Sequence, residues 1–178
     1  NVSGMPFEEI VAIMRRWLIK RVGKDAGGNT KPCLIVYDYL KLMSQEGLSK
    51  NLAEYQLLGF QMTGLHNFAV KYDIPILSFV QLNRDGIDRE DTSIVSGSDR
   101  ILFLCSNFSV FKKKTEDEMA ETGGPGEGNR KLIPMICRHG PGLNDGDYIN
   151  MKFNAGIAKI TEGKTRNVLL QEKMSSSN

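Results

Sequence analysis

The sequence predicts an α/β domain, on three observations. Cys33-Leu34-Ile35-Val36-Tyr37 is an unbroken apolar run closed by Asp38, the mark of a strand covered on both faces in a parallel sheet. Ile74-Pro75-Ile76-Leu77-Ser78-Phe79-Val80, closed by Gln81, is a second such run, with its proline at the start where a missing donor is tolerated. Between them Tyr55, Leu58, Met62, Leu65 and Ala69 recur at helical spacing, which supplies the crossover that parallel strands require.

The other elements follow in order. Pro6 suits a first helical turn, and Phe7, Ile10, Val11, Met14, Trp17 and Leu18 predict an amphipathic helix over 6–22. Residues 23–29 form a turn. Gly23-Lys24 is followed by Asp25, so the phosphate-loop pattern GxxxxGK[ST] fails there, and the glycine run at 123–128 does not supply it either. Residues 44–51 read as polar loop, and the polar stretch 85–98 precedes a third short strand, Ile101–Cys105. From Lys112 to Arg130 the chain is lysine-rich, then acidic, then glycine-rich, which predicts a mobile, solvated excursion. Lys131–Cys137 returns as a strand ending in the turn Arg138-His139-Gly140-Pro141-Gly142. Asp147–Phe153 and Ile157–Ile160 alternate like an antiparallel hairpin around Asn154-Ala155-Gly156. Residues 1–163 are expected to form one domain part and 164–178 a frayed polar tail.

With 178 residues, 40% hydrophobic and 25% charged, the chain has the composition of a soluble domain able to bury a core, which excludes disordered, collagenous and repeat scaffolds. No apolar run approaches the roughly 18 to 20 residues that cross a bilayer and no signal segment opens the chain, so a cytoplasmic protein without membrane association is expected. Cys33, Cys105 and Cys137 are too widely spaced for a zinc pattern and read as reduced, strand-buried thiols. A net charge of +2 does not announce a nucleic-acid binder, so any DNA contact must come from local loops. The first residue is Asn1, and a helical pattern follows almost at once, which reads as the interior of a longer protein.

Asp38, Gln81 and Arg138 stand at the ends of three apolar runs, and in an open parallel sheet the carboxyl ends of neighbouring strands converge on one crevice. An aspartate held by a rigid strand is what an ATPase uses to hold magnesium, although by itself such a residue is as readily a loop cap. His66, on the crossover helix, reads as a packing or surface residue.

The wording of the chain goes further. Leu34-Ile35-Val36-Tyr37-Asp38-Tyr39-Leu40-Lys41-Leu42-Met43 resembles the magnesium-binding strand of DnaB-type replicative DNA helicases, and Val80-Gln81-Leu82-Asn83-Arg84 is similar to a later strand end of that family. Ser96-Gly97-Ser98-Asp99-Arg100 and Ile136-Cys137-Arg138-His139-Gly140 match two further elements in order, so the resemblance spans roughly residues 33–160 and looks most like the phage branch.

The resemblance implies a RecA-like, mostly parallel sheet flanked by helices with a C-terminal antiparallel hairpin, an incomplete core that lacks the phosphate-loop strand. It implies that Asp38 holds Mg²⁺ or its water, that Gln81 senses the γ-phosphate of ATP or another NTP, and that Arg138 is an arginine finger reaching the neighbouring subunit of a hexameric ring. Loop 84–90, with Arg84, Gly86 and Arg89, would face single-stranded DNA in the central channel, with Lys50 as a further contact. The implied partners are copies of the chain, an upstream half carrying the phosphate loop, and a primase or helicase loader. Two departures stand out: Ile136 replaces a family lysine two residues before the finger, and neither the phosphate loop nor the family's catalytic glutamate occurs in the chain. The implied activity is NTP hydrolysis coupled to translocation on single-stranded DNA and duplex unwinding. The chain alone is expected to be inactive. The rivals are another RecA-family ATPase and a non-catalytic RecA-like interaction module.

Overall fold

A computed structural model describes residues 2, 4–40, 54–81 and 99–176. The chain divides into two compact units, Asn1–Cys105 and Ser106–Asn178.

In the first unit, helix α1 (Phe7–Trp17) places acidic Glu8 and Glu9 in its first turn and Arg15 and Arg16 in its last, complementing the helix dipole. Ile10, Met14 and Leu18 are buried at spacings of four. A π-helical turn, Leu18–Val22, extends it until Gly23, at φ 73°, donates its N–H to the Leu18 carbonyl at 2.8 Å. A short hairpin follows, tied by a bridge between Lys24 and Thr30 and by Asp25 Oδ1, which accepts from the N–H groups of Gly27 and Asn29.

Strand β1 (Ile35–Leu40) pairs in parallel with β2 (Ile76–Val80), and helix α2 (Glu54–Tyr72) is the crossover between them. The expected helix and both strands are thus present, but the buried stripe of α2 is Leu57, Gln61, Leu65 and Phe68, of which only Leu65 is on the expected face. The two-face burial expected for the strands is not observed among the described residues. Tyr37 and Leu40 are buried, while Val36 is 56% and Phe79 48% exposed, with Leu77 exposed beside them in register with Val36. Phe7 of α1 packs on the covered face against Tyr37.

Ile101–Cys105 is not a strand: Asp99–Leu104 forms helix α3. A five-residue apolar run carries too little periodicity to separate the two conformations, and here packing against α2 decides, with Ile101 buried and the Arg100 guanidinium 5.7 Å from the Phe60 ring centroid.

In the second unit an antiparallel sheet runs in the order β3-β4-β5-β6, from β3 (Asn107–Lys113), β4 (Arg130–Cys137), β5 (Ile149–Asn154) and β6 (Lys159–Thr165). The expected hairpin is present as β5–β6, but its second strand lies at Lys159–Thr165 and not at Ile157–Ile160, because Ala155–Ile157 form a 3-10 turn after Asn154, whose Oδ1 accepts from the Gly156 N–H. The supposed solvated excursion is built structure. After β3, Thr115 and Glu118 form a reciprocal capping box at the start of helix α4 (Glu116–Glu121). Lys114, Thr122 and Lys131 are buried, Lys131 at 1% exposure. The expected polar tail is helix α5 (Arg166–Ser176), with Leu169 buried. Asp147 Oδ1 accepts from the Asn167 N–H at 3.1 Å, and the Arg166 guanidinium clasps the Glu121 carboxylate, with Nε donating to Oε2 at 2.9 Å. The three cysteines form no disulfide and are half-buried, Cys33 ahead of β1 and Cys105 after α3, so only Cys137 lies in a strand.

Candidate functional site

The parallel register brings two of the three expected site residues to one end of one sheet. Tyr37 pairs with Ser78 and Leu40 with Val80, with an irregularity between them on β1, so Asp38 stands in the last half of β1 and Gln81 directly follows the last residue of β2. The Asp38–Tyr39 peptide bond is cis. Alternation along β1 puts Asp38 on the exposed face together with Val36. Both Asp38 and Gln81 are exposed, and among the described residues neither side chain makes a hydrogen bond or ion pair. The Asp38 carboxylate is carried by a strand and is exposed.

On the opposite face, Tyr37 meets the α1 side of the unit, and burial pushes its phenol above the ordinary tyrosine value.

Arg138 stands elsewhere in the topology. It follows β4, a strand of the antiparallel sheet in the second unit, and not a third strand of the parallel sheet as the strand-end argument expected. Its backbone N–H donates to the Ser106 carbonyl at 3.0 Å, which fixes the start of the turn, and its side chain is exposed. Lys50, Arg84, Gly86 and Arg89 lie outside the described residues, as does the rest of loop 84–90.

Among the described residues no three His, Cys, Asp or Glu side chains gather in a metal-binding group. A strand-held open carboxylate is nevertheless the donor a hard cation takes, so Asp38 fits one ligand of a magnesium shell completed by water and phosphate oxygens. The sequence contains no GxxxxGK[ST] pattern for cradling those phosphates. No described helix is long and apolar enough to cross a membrane.

A second polar cluster, missed by the sequence reading, lies inside the second unit. Lys114 Nζ donates to Thr122 Oγ1 and, at 2.7 Å, to Oδ1 of the fully buried Asn150, while Lys131 pairs with Glu118. Both ammonium groups lie over the Tyr148 ring, 5.6 and 5.4 Å from its centroid. Burial pulls the Lys114 ammonium below the ordinary lysine value, against the attraction of Glu118. Burial alone would raise the Glu118 carboxyl, but the hydrogen bonds from Lys131 and the Thr115 N–H outweigh it and leave the group below its ordinary value. The contacts named here join residues of the second unit, and the sequence signals them through Thr115-x-x-Glu118, a capping pattern.

No protein-family model matches the chain, and no curated protein matches it in sequence. Solved structures do. A structure described as an ATPase domain is similar at a TM-score of 0.64 and 14% sequence identity, over 87% of this chain and 50% of that one. A structure described as a DnaB-like replicative helicase and its interactions with primase is similar at a TM-score of 0.61 and 15% identity, over 84% of this chain and 34% of that one. The chain therefore spans half or less of the length of these two structures. Its fold is the mixed α/β fold of DnaB-like helicase ATPase domains, with a parallel pair, flanking helices and an antiparallel sheet.

Proposed function

We propose that residues 1–163 are the C-terminal part of a RecA-like ATPase core of a DnaB-type, phage-branch replicative DNA helicase, which couples NTP hydrolysis to movement on single-stranded DNA and duplex unwinding. The observation that carries this reading is the exposed Asp38 carboxylate at the same end of the β1–β2 pair as Gln81, in a chain of which 87% is covered when it is matched to a helicase ATPase domain.

Asp38 would hold Mg²⁺ directly or through water, and the bound ion would offset charge on the β- and γ-phosphates of ATP or another NTP. The neutral amide of Gln81 can donate to a phosphate oxygen and relax when that oxygen leaves, passing nucleotide state to the loop after it. Arg138 presents a planar guanidinium suited to charge spread over phosphoryl oxygens, and in a hexameric ring it would act on the nucleotide of the neighbouring subunit. Arg84, Gly86, Arg89 and Lys50 are the residues proposed to touch single-stranded DNA. In this reading an upstream half would supply the phosphate loop, and its strands would also cover the exposed row Val36, Leu77 and Phe79. A primase or helicase loader is the partner proposed, in the cytoplasm or, for a phage protein, the host cytoplasm.

The second reading, a non-catalytic RecA-like module, is favoured by one fact, that the chain has no phosphate loop of its own. One experiment separates the two. The chain should not hydrolyse ATP alone; supplied with an upstream segment bearing GxxxxGK[ST], it should, and Asp38→Asn should abolish turnover while leaving assembly intact. Failure of the reconstituted core to hydrolyse NTP would favour the non-catalytic module.

A further inference from the structure

Positions 15–31 hold six basic residues, Arg15, Arg16, Lys20, Arg21, Lys24 and Lys31, and a single acid, Asp25. This stretch is thus +5 within a chain whose total is +2, which leaves the remainder net negative. All six basic side chains are exposed, and among the described residues none enters an ion pair or hydrogen bond. The Asp25 carboxylate is turned into its own hairpin, accepting from Gly27 and Asn29.

The fold gathers these charges. Arg15 and Arg16 occupy the last turn of α1, Lys20 and Arg21 the π-helical turn, and the Lys31 N–H donates to the Gly23 carbonyl at 3.2 Å, which folds the hairpin lysines back against the helix end. A helix dipole acts only within its last turn, so it does not account for Lys24 and Lys31 in and after the hairpin. Among them Trp17, the chain's only tryptophan, is 40% exposed and Ile19 is 68% exposed. Trp17 and Arg16 thus lie one turn before Arg21 and Lys20 where α1 passes into the π-helical turn.

We infer that this surface is a binding site for single-stranded nucleic acid, in which the six cations engage backbone phosphates and Trp17 offers its ring to an unstacked base. A positive track interleaved with an aromatic is the recurring solution for a single strand, because every base has a face to stack and every nucleotide a charge to neutralise. A duplex hides its base faces from Trp17. An anionic membrane would call for a broad apolar face, and this surface exposes only Trp17 and Ile19 between its charges. The inference does not rest on the helicase reading, since it uses no residue of the proposed nucleotide site and none of loop 84–90.

The test uses the whole chain and a fluorescein-labelled dT20 oligonucleotide. Tryptophan emission should be quenched with the same midpoint as the rise in anisotropy. For four to six phosphate contacts, log K against log salt should fall with a slope of about −3 to −4. Arg16→Ala/Lys20→Ala should weaken binding about tenfold at low salt and reduce the slope by about 1.4, and Arg15→Gln/Arg21→Gln should act in the same way if the first pair perturbs the far-ultraviolet circular dichroism. Lys159→Ala, an exposed lysine of β6, should change nothing. Unaltered affinity and slope in both patch variants would overturn the inference, as would loss of binding confined to Arg84→Ala/Arg89→Ala, an outcome that would instead strengthen the helicase reading. A response of Trp17 to vesicles containing phosphatidylserine without one to dT20 would also overturn it, in favour of a membrane surface.

Discussion

Phe7 and Tyr37 meet edge to face, with ring centroids 6.4 Å apart and planes at 81°, and the Phe7 ring fills the space that a side chain on Gly64 would occupy. One aromatic ring thereby joins α1, α2 and β1 behind the strand that carries Asp38.

Gly64→Ala is expected to destabilise the first unit. Alanine gains about 1 kcal/mol of helix propensity over glycine, whereas overpacking costs about 1 to 3 kcal/mol. The added methyl would overlap the Phe7 ring, so the clash should prevail. Chemical denaturation followed by circular dichroism checks this, and Phe7→Leu in the same chain should recover the propensity gain. A single variant as stable as the parent would show that Phe7 moves aside freely.

Lys114→Met should destabilise the second unit by about 1 to 3 kcal/mol, the cost of stranding a buried acceptor. The acceptor at stake is Asn150 Oδ1, which loses a 2.7 Å donor. Lys114→Met/Asn150→Leu should not recover the loss, because Asn150 Nδ2 also donates to the Lys164 carbonyl at 2.8 Å. Urea midpoints of the parent, the single and the double variant provide the measurement.

Stability should fall on acidification below about pH 4.3, the ordinary glutamate value. The carboxyls of Glu118 and Glu121 lie below their ordinary values when folded, so the unfolded chain takes up protons first and the stabilisation is lost as pH drops through the folded values. Lys114 has the same sign in the alkaline range. Its folded value is also depressed, so its contribution grows as pH rises from that value towards about 10.4 and is lost on the way down. Denaturation midpoints measured across pH should show an acid arm that is shallower in Glu118→Gln; an unchanged arm would mean that other carboxylates govern it.

On the helicase reading proposed above, Arg138→Ala should cripple hydrolysis in an assembled ring while leaving nucleotide binding by one subunit close to the parent value, because Arg138 would then act across a subunit boundary. Mixed rings of Arg138→Ala and Asp38→Asn subunits should regain part of the turnover, since some boundaries then have both groups intact. Complete silence at every mixing ratio would count against action in trans.

Local sequence is enough for the elements whose signal is long enough to be periodic. Apolar runs closed by Asp38 and Gln81, with nineteen helical residues between them, dictate a parallel pair with both polar residues at one end. The hairpin β5–β6 is legible for the same reason. Long-range packing settles the rest. Ile101–Leu104 becomes helix because α2 offers it a packing surface, and residues 166–176 become helix because Asp147 and Glu121, distant in sequence, receive its first turn. Lys114 reads as solvated because a charged side chain is buried only when partners complete its hydrogen bonds, and one of those partners, Asn150, lies 36 residues away. Local pattern reports what a segment can do alone. Burial of charge, and the choice between helix and strand in a short apolar run, are set by what the chain brings against that segment.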